Sequence, residues 1–445
     1  MSRSVSDITN TIIKIESDNG LFNWQVKGVV VWEILRAKIY DAILLHNDSN
    51  ASAGKKKNTI GSILIKVKNK FFKYVNAFVY HPYFDNQPVD TIIFESSRKL
   101  LYKGSYIDPH TKFLHDDLIT KKTRVAKYQS SFSFDRLSKR TLDIKHLDLV
   151  YLISSFRSKF RSIVFTSDEQ KKIKAIEEAF LKEFGVKFNF TALVGNEVKV
   201  FDSNLIFFNS LLKKKQPKEI YIVNFCDKPA LITAAKRNGI KVIDIQHGFM
   251  SPDDIIYHYP NVEAGSLKYF PDKFYAWPQL WFEGCCIPLK QEDIFIFGNR
   301  FLDDQKNNYK HIVKEQNTLL IISQPTLTRQ IATAVLNNSK VFETSKILYK
   351  LHPAEYSTAF DLPEFKALAQ VKNLSFVDKG TDLYELFAAS TTVLGVYSAA
   401  LIEAVSFNCR VMLFQLPGVE MMKTFVEKGH MEHFYTTAQK EKIPA

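Results

Sequence analysis

The feature that most constrains this chain is its rhythm. Short apolar runs alternate with helix-length amphipathic segments. Glu219 to Asn224 reads as a strand, Lys228 to Asn238 as a helix closed by Gly239, and Lys241 to Ile245 as the next strand. Strands separated by helices in this way predict parallel βαβ units. The pattern continues with strands expected at Thr91–Phe94, Leu149–Ile153, Ser162–Phe165, Lys273–Trp277, Asp293–Phe297 and Thr318–Ile322, then at Lys346–Leu351, Leu374–Val377, Thr392–Gly395 and Arg410–Phe414. Helices are expected at Phe22–Leu45, Ser167–Phe184, Arg329–Leu336, Leu383–Ala389 and Ala399–Phe407, the second with a Ser167/Gln170 capping box and Gly185 just past its end. A chain of 445 residues exceeds what one core normally holds. The expected fold is therefore α/β, with two Rossmann-like domains. The divisions are 1–88 (helical, with a possible membrane contact), 89–300 (first Rossmann-like domain), 301–418 (second) and 419–445 (a helix packing back on the first domain).

Parallel sheets place ligands outside the carboxyl ends of their strands, so chemistry is expected at the strand ends. His247, in Gln246-His247-Gly248, follows one strand and is the candidate general base for an acceptor hydroxyl. Asp227, at the end of the neighbouring strand, is the rival base, with Asp108 and Asp116 behind it. Gly248 suggests tight backbone geometry or close ligand approach. Tyr257 and Tyr259 follow and are expected to line an acceptor groove. In the second half, Ser323-Gln324-Pro325, His352-Pro353 and Ser398 each stand where a strand stops. Ser398 is also a natural helix N-cap, and a helix N-terminus suits phosphate. Ser323, Gln324, His352 and Ser398 are thus the expected phosphate pocket, with Glu403, a turn into the helix, set for ribose hydroxyls.

Charge and absences narrow the class. A net charge of +13 implies anionic partners, but no nucleic-acid-binding signature is present. Nucleotide-sugar phosphates and a lipid surface fit better. Ile63 to Tyr80 interleaves lysines with Phe71, Phe72 and Tyr74, a pattern that can lie on an anionic membrane or simply face water. The four cysteines show neither zinc nor disulfide spacing, which fits a reducing compartment. The longest uncharged stretch, Leu386 to Ile402, falls short of a membrane span. The expectation is a cytoplasmic protein, soluble or peripheral on the membrane. GxxxxGK[ST], GxGxxG, hydrolase and zinc-protease motifs are missing, and no Asp-x-Asp follows a strand. Metal-independent chemistry without a cofactor is expected.

These residues resemble the bacterial GT-B glycosyltransferases of surface-polysaccharide assembly. The resemblance rests on Gln246-His247-Gly248, Ser323-Gln324-Pro325, Leu351-His352-Pro353, Asp382 to Leu386 and Ser398 to Glu403, and spans roughly residues 219 to 418. It implies two domains facing across a cleft, with acceptor on the first and nucleotide-sugar on the second. In sialyl- and Kdo-type CMP-sugar transferases a His-Pro motif and a later serine hold the phosphate, roles that fall on His352 and Ser398. In teichoic acid glycerophosphotransferases a His-Gly motif supplies a base and a His-Pro motif binds phosphate, which indicates His247 and His352. The Asp/Glu-Asp-Gly base motif of sialyltransferases is absent. The resemblance implies a lipid-linked oligosaccharide acceptor at the inner membrane and a capsule or O-antigen product. A CDP-polyol phosphotransferase, a UDP-N-acetylhexosamine epimerase and a non-catalytic adaptor are the alternatives.

Overall fold

The computed structural model describes residues 3–49, 74–75, 77–84, 87–130 and 144–435. The basic stretch expected at Ile63 to Tyr80 lies largely outside the described residues. The chain divides into two units, Met1–Gly298 and Asn299–Ala445. Each is described by itself.

The first unit is built on seven strands: β1 (Thr91–Glu95), β2 (Val125–Gln129), β3 (Ile144–His146), β4 (Glu219–Val223), β5 (Lys241–Ile245), β6 (Lys273–Ala276) and β7 (Ile294–Ile296). All pairings are parallel, in the order β7-β6-β5-β4-β1-β2-β3. This is the strand order of a doubly wound dinucleotide-type sheet, with its topological switch point between β1 and β4. The helices are α1 (Val5–Asp18), α2 (Val31–Ser49), α3 (Lys112–Thr120), α4 (Asp148–Lys159), α5 (Ser167–Phe184), α6 (Phe190–Lys215) and α7 (Pro229–Arg237). The pleat sorts neighbouring side chains onto two faces. Ile92, Phe94, Ile220, Ile222 and Val242 join the large core that also takes in residues of α1, α2, α5, α6 and α7. Ile93, Tyr221, Val223, Ile243 and Ile245 pack instead with Leu114 and Leu118 of α3. Both faces are covered, which is why these strands read as nearly continuous apolar runs.

The N-terminal helices are part of this core rather than a separate segment. Arg36 of α2 is 2% exposed and pairs with Glu16 of α1. It also donates to the carbonyls of Ile255 and His258 and lies 4.0 Å from the Tyr259 ring centroid. A buried guanidinium with these partners ties the first two helices to the loop after β5.

The second unit holds β8 (Glu315–Ile322), β9 (Lys346–Lys350), β10 (Leu374–Phe376), β11 (Ser390–Gly395), β12 (Arg410–Phe414) and β13 (Glu432–Phe434). Again all are parallel, in the order β10-β9-β8-β11-β12-β13. The switch point lies between β8 and β11. Its helices are α8 (Arg300–Asn308), α9 (Thr328–Asn337), α10 (Pro363–Leu368), α11 (Leu383–Ala389), α12 (Ala399–Ser406) and α13 (Lys423–Glu427). The expected pair of parallel-sheet α/β domains is therefore what the chain forms.

Several local expectations are corrected. Leu149–Ile153 belongs to helix α4, and Ser162–Phe165 is irregular. The capping box of α5 is Thr166 with Glu169, one residue earlier than expected, while Gly185 does end that helix at φ 68°. Phe22–Leu45 is divided: a small hairpin, Gln25–Val26 with Val29–Val30, precedes α2. The strand expected at Asp293–Phe297 is the edge of the first sheet. The run from Val419 to His433 is no continuous helix but a short helical passage leading into β13, which completes the second sheet. Among the described residues no helix is long and apolar enough to cross a membrane.

Candidate functional site

Both switch points carry polar residues. At the first, β1 ends in Glu95-Ser96-Ser97, β4 in Asn224 and a turn through Asp227, and β5 in Gln246-His247. Asn224 adopts φ 64°, and its side chain accepts from Cys226 N. A cavity of about 150 Å³ opens here against Ser96, Gln129, Asn224, Asp227, Lys228 and His247.

Gln246 explains how His247 is held. Gln246 is fully buried; its amide donates to the carbonyls of Gly248 (2.9 Å) and Trp281 (3.0 Å) and accepts from Trp277 N (2.7 Å). All three bonds fix the loop after β5 against the end of β6. A Cβ at Gly248 would meet nothing within 4 Å, so the tight geometry expected there is not found. The His247 ring lies 6.2 Å, centroid to centroid, from both His110 and Tyr257. Its Nδ1 is out of water and has no partner. Burial, then the neighbouring His110 and Lys228, pull its pKa down to about 4. It is therefore a neutral imidazole at pH 7, able to accept a proton.

Asp227 stands at the exposed end of the β4 turn, with its side chain 54% exposed and paired with Lys228 Nζ at 2.5 Å. Lys228 also donates to the carbonyls of Val223 and Asn224, which locks the turn. The two weaker base candidates are both engaged in local bonds. Asp108 is 2% exposed and accepts from Ser96 N (2.6 Å) and His110 N (2.9 Å), so it clasps the loop after β1. Asp116 pairs with Lys112 along α3. Tyr257 and Tyr259 do not border the His247 cavity; Tyr259 touches a separate cavity of about 260 Å³ with Phe22 and Pro260. The two tyrosines are 2% and 6% exposed: Tyr257 donates to Asp244 (2.6 Å), and Tyr259 packs on Arg36 and Phe270. Their apolar rings belong to the core.

The site residue that went unnoticed in this unit is His110. The Asp108 clasp presents it, stacked on Trp277 (6.1 Å, 25°), edge-on to His247. Its only sequence signal was its place in a loop between a strand and a helix.

At the second switch point the expected residues are tied together by one that was not expected. Glu355 is 3% exposed and accepts from Ser323 Oγ (2.8 Å), Thr328 Oγ1 (2.5 Å) and His352 N (2.7 Å). It thereby links the end of β8, the start of α9 and the turn after β9. The exposed His352 ring accepts at Nδ1 from Ala354 N (3.2 Å), which puts the proton of the neutral ring on Nε2 as an outward donor. Gln324 Oε1 accepts from Tyr397 N (3.0 Å), joining the ends of β8 and β11, the two strands of the switch point. Tyr397 OH meets Thr326 Oγ1 at 2.8 Å. Gly418, at φ 92°, lies so close that a Cβ would come within 2.4 Å of the Tyr397 ring. Ser398 caps α12, accepting from Ala400 N (3.3 Å). Glu403, a turn further on, lies 3.5 Å from Tyr384 OH. Asp382 caps α11 and accepts from Tyr309 OH (2.9 Å). The arrangement offers hydroxyl, imidazole and helix N-terminal donors at one sheet edge, which suits an anionic oxygen cluster.

No family model matches this sequence, and no curated protein matches it. Three solved structures illustrate the likeness that does exist. The UDP-GlcNAc 2-epimerase from Methanocaldococcus jannaschii aligns at 11% identity and TM-score 0.47, over 79% of this chain and 90% of that one. The Neisseria meningitidis UDP-GlcNAc 2-epimerase, bound to UDP-GlcNAc, aligns at 11% and TM-score 0.44, over 77% and 86%. The glycotransferase of kitacinnamycin aligns at 11% and TM-score 0.45, over 80% and 89%.

Proposed function

We propose that this chain is a GT-B-type glycosyltransferase that acts without a metal. It moves a sugar from a nucleotide-sugar, a CMP-sugar by preference, to a growing O-antigen or capsule chain on a lipid carrier. The observation that carries the reading is the Glu355-centred arrangement at the second switch point, with Ser323, His352 and the Gln324–Tyr397–Ser398 edge around it. In this reading His352 Nε2–H and the N-terminus of α12 hold the donor phosphate, and Glu403 takes the ribose. An acceptor O–H attacks the anomeric carbon, the carbon–oxygen bond to phosphate breaks, and the nucleotide leaves with the electron pair. The acceptor proton passes to His247, with Asp227 the alternative base. Donors aimed at the departing phosphate would stabilise its developing charge.

A membrane-side location is supported by α4. This helix buries Ser154 and Ser158 and exposes Leu152, Ile153, Phe156 and, just past its end, Phe160. Arg157, Lys159 and Arg161 lie among them, and no acidic residue occurs between Asp148 and Asp168. Exposed apolar residues interleaved with basic ones suit an anionic lipid surface.

An epimerase acting on a UDP-N-acetylhexosamine is the second reading. It is favoured by Glu95 and Asp108, two carboxyl groups at the first switch point that burial pushes above the usual range. Burial favours the proton on both groups, while Lys99, paired with Glu95, opposes it. The test is product analysis with His352→Ala beside the unaltered protein. Transfer to a lipid-linked acceptor, lost in a folded His352→Ala protein, is expected. Full activity of that variant would overturn the assignment, and isomerised nucleotide-sugar without acceptor would select the epimerase. A phosphodiester-linked product would indicate a CDP-polyol donor.

A further inference from the structure

The polar cavity at the first switch point has a neighbour. A second cavity of about 250 Å³ lies between α2, α6 and α7, walled by Ile34, Val200, Phe201, Phe208, Ala230 and Leu231. The two adjoin: Ser130, Tyr151, Asp227 and Lys228 line both. One compartment is thus polar and carries His247, and the next is mostly apolar. Each is lined by a residue whose side-chain oxygen has no partner. Gln129, which lines the polar cavity, is 2% exposed, and its Oε1 receives no hydrogen bond. Asn204 lines the apolar compartment, and its Oδ1 is equally out of water and unpaired. Buried acceptors left in this state are costly unless a ligand or water supplies a donor.

We infer that the first unit binds an amphiphilic ligand, with a hydroxyl-bearing head beside Asp227 and His247 and a compact apolar group in the compartment between α2, α6 and α7. This rests on reading the first unit as the acceptor side and names the class of acceptor: one whose apolar moiety is recognised together with its hydroxyl. The size is adequate, since an apolar cavity of roughly 150 Å³ already takes a benzene ring. An apolar wall contributes affinity in proportion to the area it removes from water and leaves orientation to the polar end.

The probe is 4-phenyl-1-butanol, compared with 1-butanol, titrated into the full chain by calorimetry. The aromatic alcohol should bind roughly tenfold or more tightly than butanol, as burial of a phenyl group demands. Ala230→Phe and Val200→Phe fill the apolar compartment from two different helices and should each abolish that difference. Ala230 is buried and its variant could fail to fold; Val200 is only partly buried and gives the second reading. Equal affinity for the two alcohols in the unaltered protein would overturn the inference, as would an undiminished difference in both folded variants. Nucleotide binding is measured on the same samples. If it is absent while phenylbutanol binds as expected, the transferase reading fails and the amphiphile site stands.

Discussion

Glu355 shows how a residue invisible to motif reading can govern a site. His352 and Ser323 were legible because each stands where an apolar run stops. Glu355 is a carboxylate in a loop, and only the fold shows that three donors from three segments converge on it. Glu355→Ala should lower stability by roughly 2–4 kcal/mol, because it leaves buried donors unsatisfied. Denaturant unfolding checks this, and unchanged stability would show that water replaces the carboxylate at no cost. The tyrosines mark the opposite failure: Tyr257 and Tyr259 follow the His247 loop in sequence, yet aromatic burial takes both into the core. Asp244 gives a prediction in pH. It is fully buried, and burial pushes its pKa up to about 7 against the pull of the Tyr257 hydroxyl. The folded protein then holds a proton that the unfolded chain, with an ordinary carboxyl near 4, has lost. That contribution is complete below about pH 4 and disappears as pH rises through about 7. Asp244→Asn, which has no such proton to lose, should therefore gain melting temperature relative to the unaltered protein between pH 5 and 8.5. A constant difference across that range would mean that Asp244 does not titrate there. His247 has the opposite sign: its stabilising contribution is present above about 6.5 and is lost as pH falls through about 4.

At the scale of elements, strands of the two sheets were the most legible feature, because both faces of each sheet are covered. Helices carrying β-branched and aromatic residues were not. α6 is 26 residues long and was missed: Phe190, Val194, Val198, Phe201, Leu205, Phe208 and Leu212 bury at helical spacing, but Gly195 and the β-branched content argue locally against a helix. Packing decides it. Gly195 faces the Phe165 ring, with a Cβ position 3.6 Å away. α4 was misread as a strand because five apolar residues in a row carry no period. Its outward apolar face yields a test. Replacing Phe156 and Phe160 together by Ser should weaken affinity for phosphatidylglycerol vesicles, read by co-sedimentation, by about a hundredfold or more, since each buried aromatic adds about 1.5–3 kcal/mol. Because both side chains are 60% or more exposed, melting temperature should hardly change. Undiminished vesicle binding would remove α4 from the membrane contact.

For the molecule as a whole, two sheets in the same doubly wound order each place a switch point, and each switch point falls on a motif found from strand ends alone. The histidines were legible for that reason. What the sequence did not reveal were the clasps behind them, Gln246, Asp108 and Glu355, which act through bonds between distant segments. A division of labour follows: His247→Ala should lower turnover by at least about a hundredfold, as removal of a general base does, while nucleotide affinity stays within about twofold. Single-turnover kinetics with separate nucleotide titration checks this, and parallel loss of both would mean that His247 supports the fold. The most direct test of the central claim is thermal shift with CMP, CDP, UDP, GDP and their sugar conjugates, without added metal, on the unaltered protein and on His352→Ala. A nucleotide at a hundred times its Kd adds about 2.7 kcal/mol to stability. The account predicts a rise in melting temperature with cytidine nucleotides first, and its loss in His352→Ala. No shift with any nucleotide in a folded sample would contradict it.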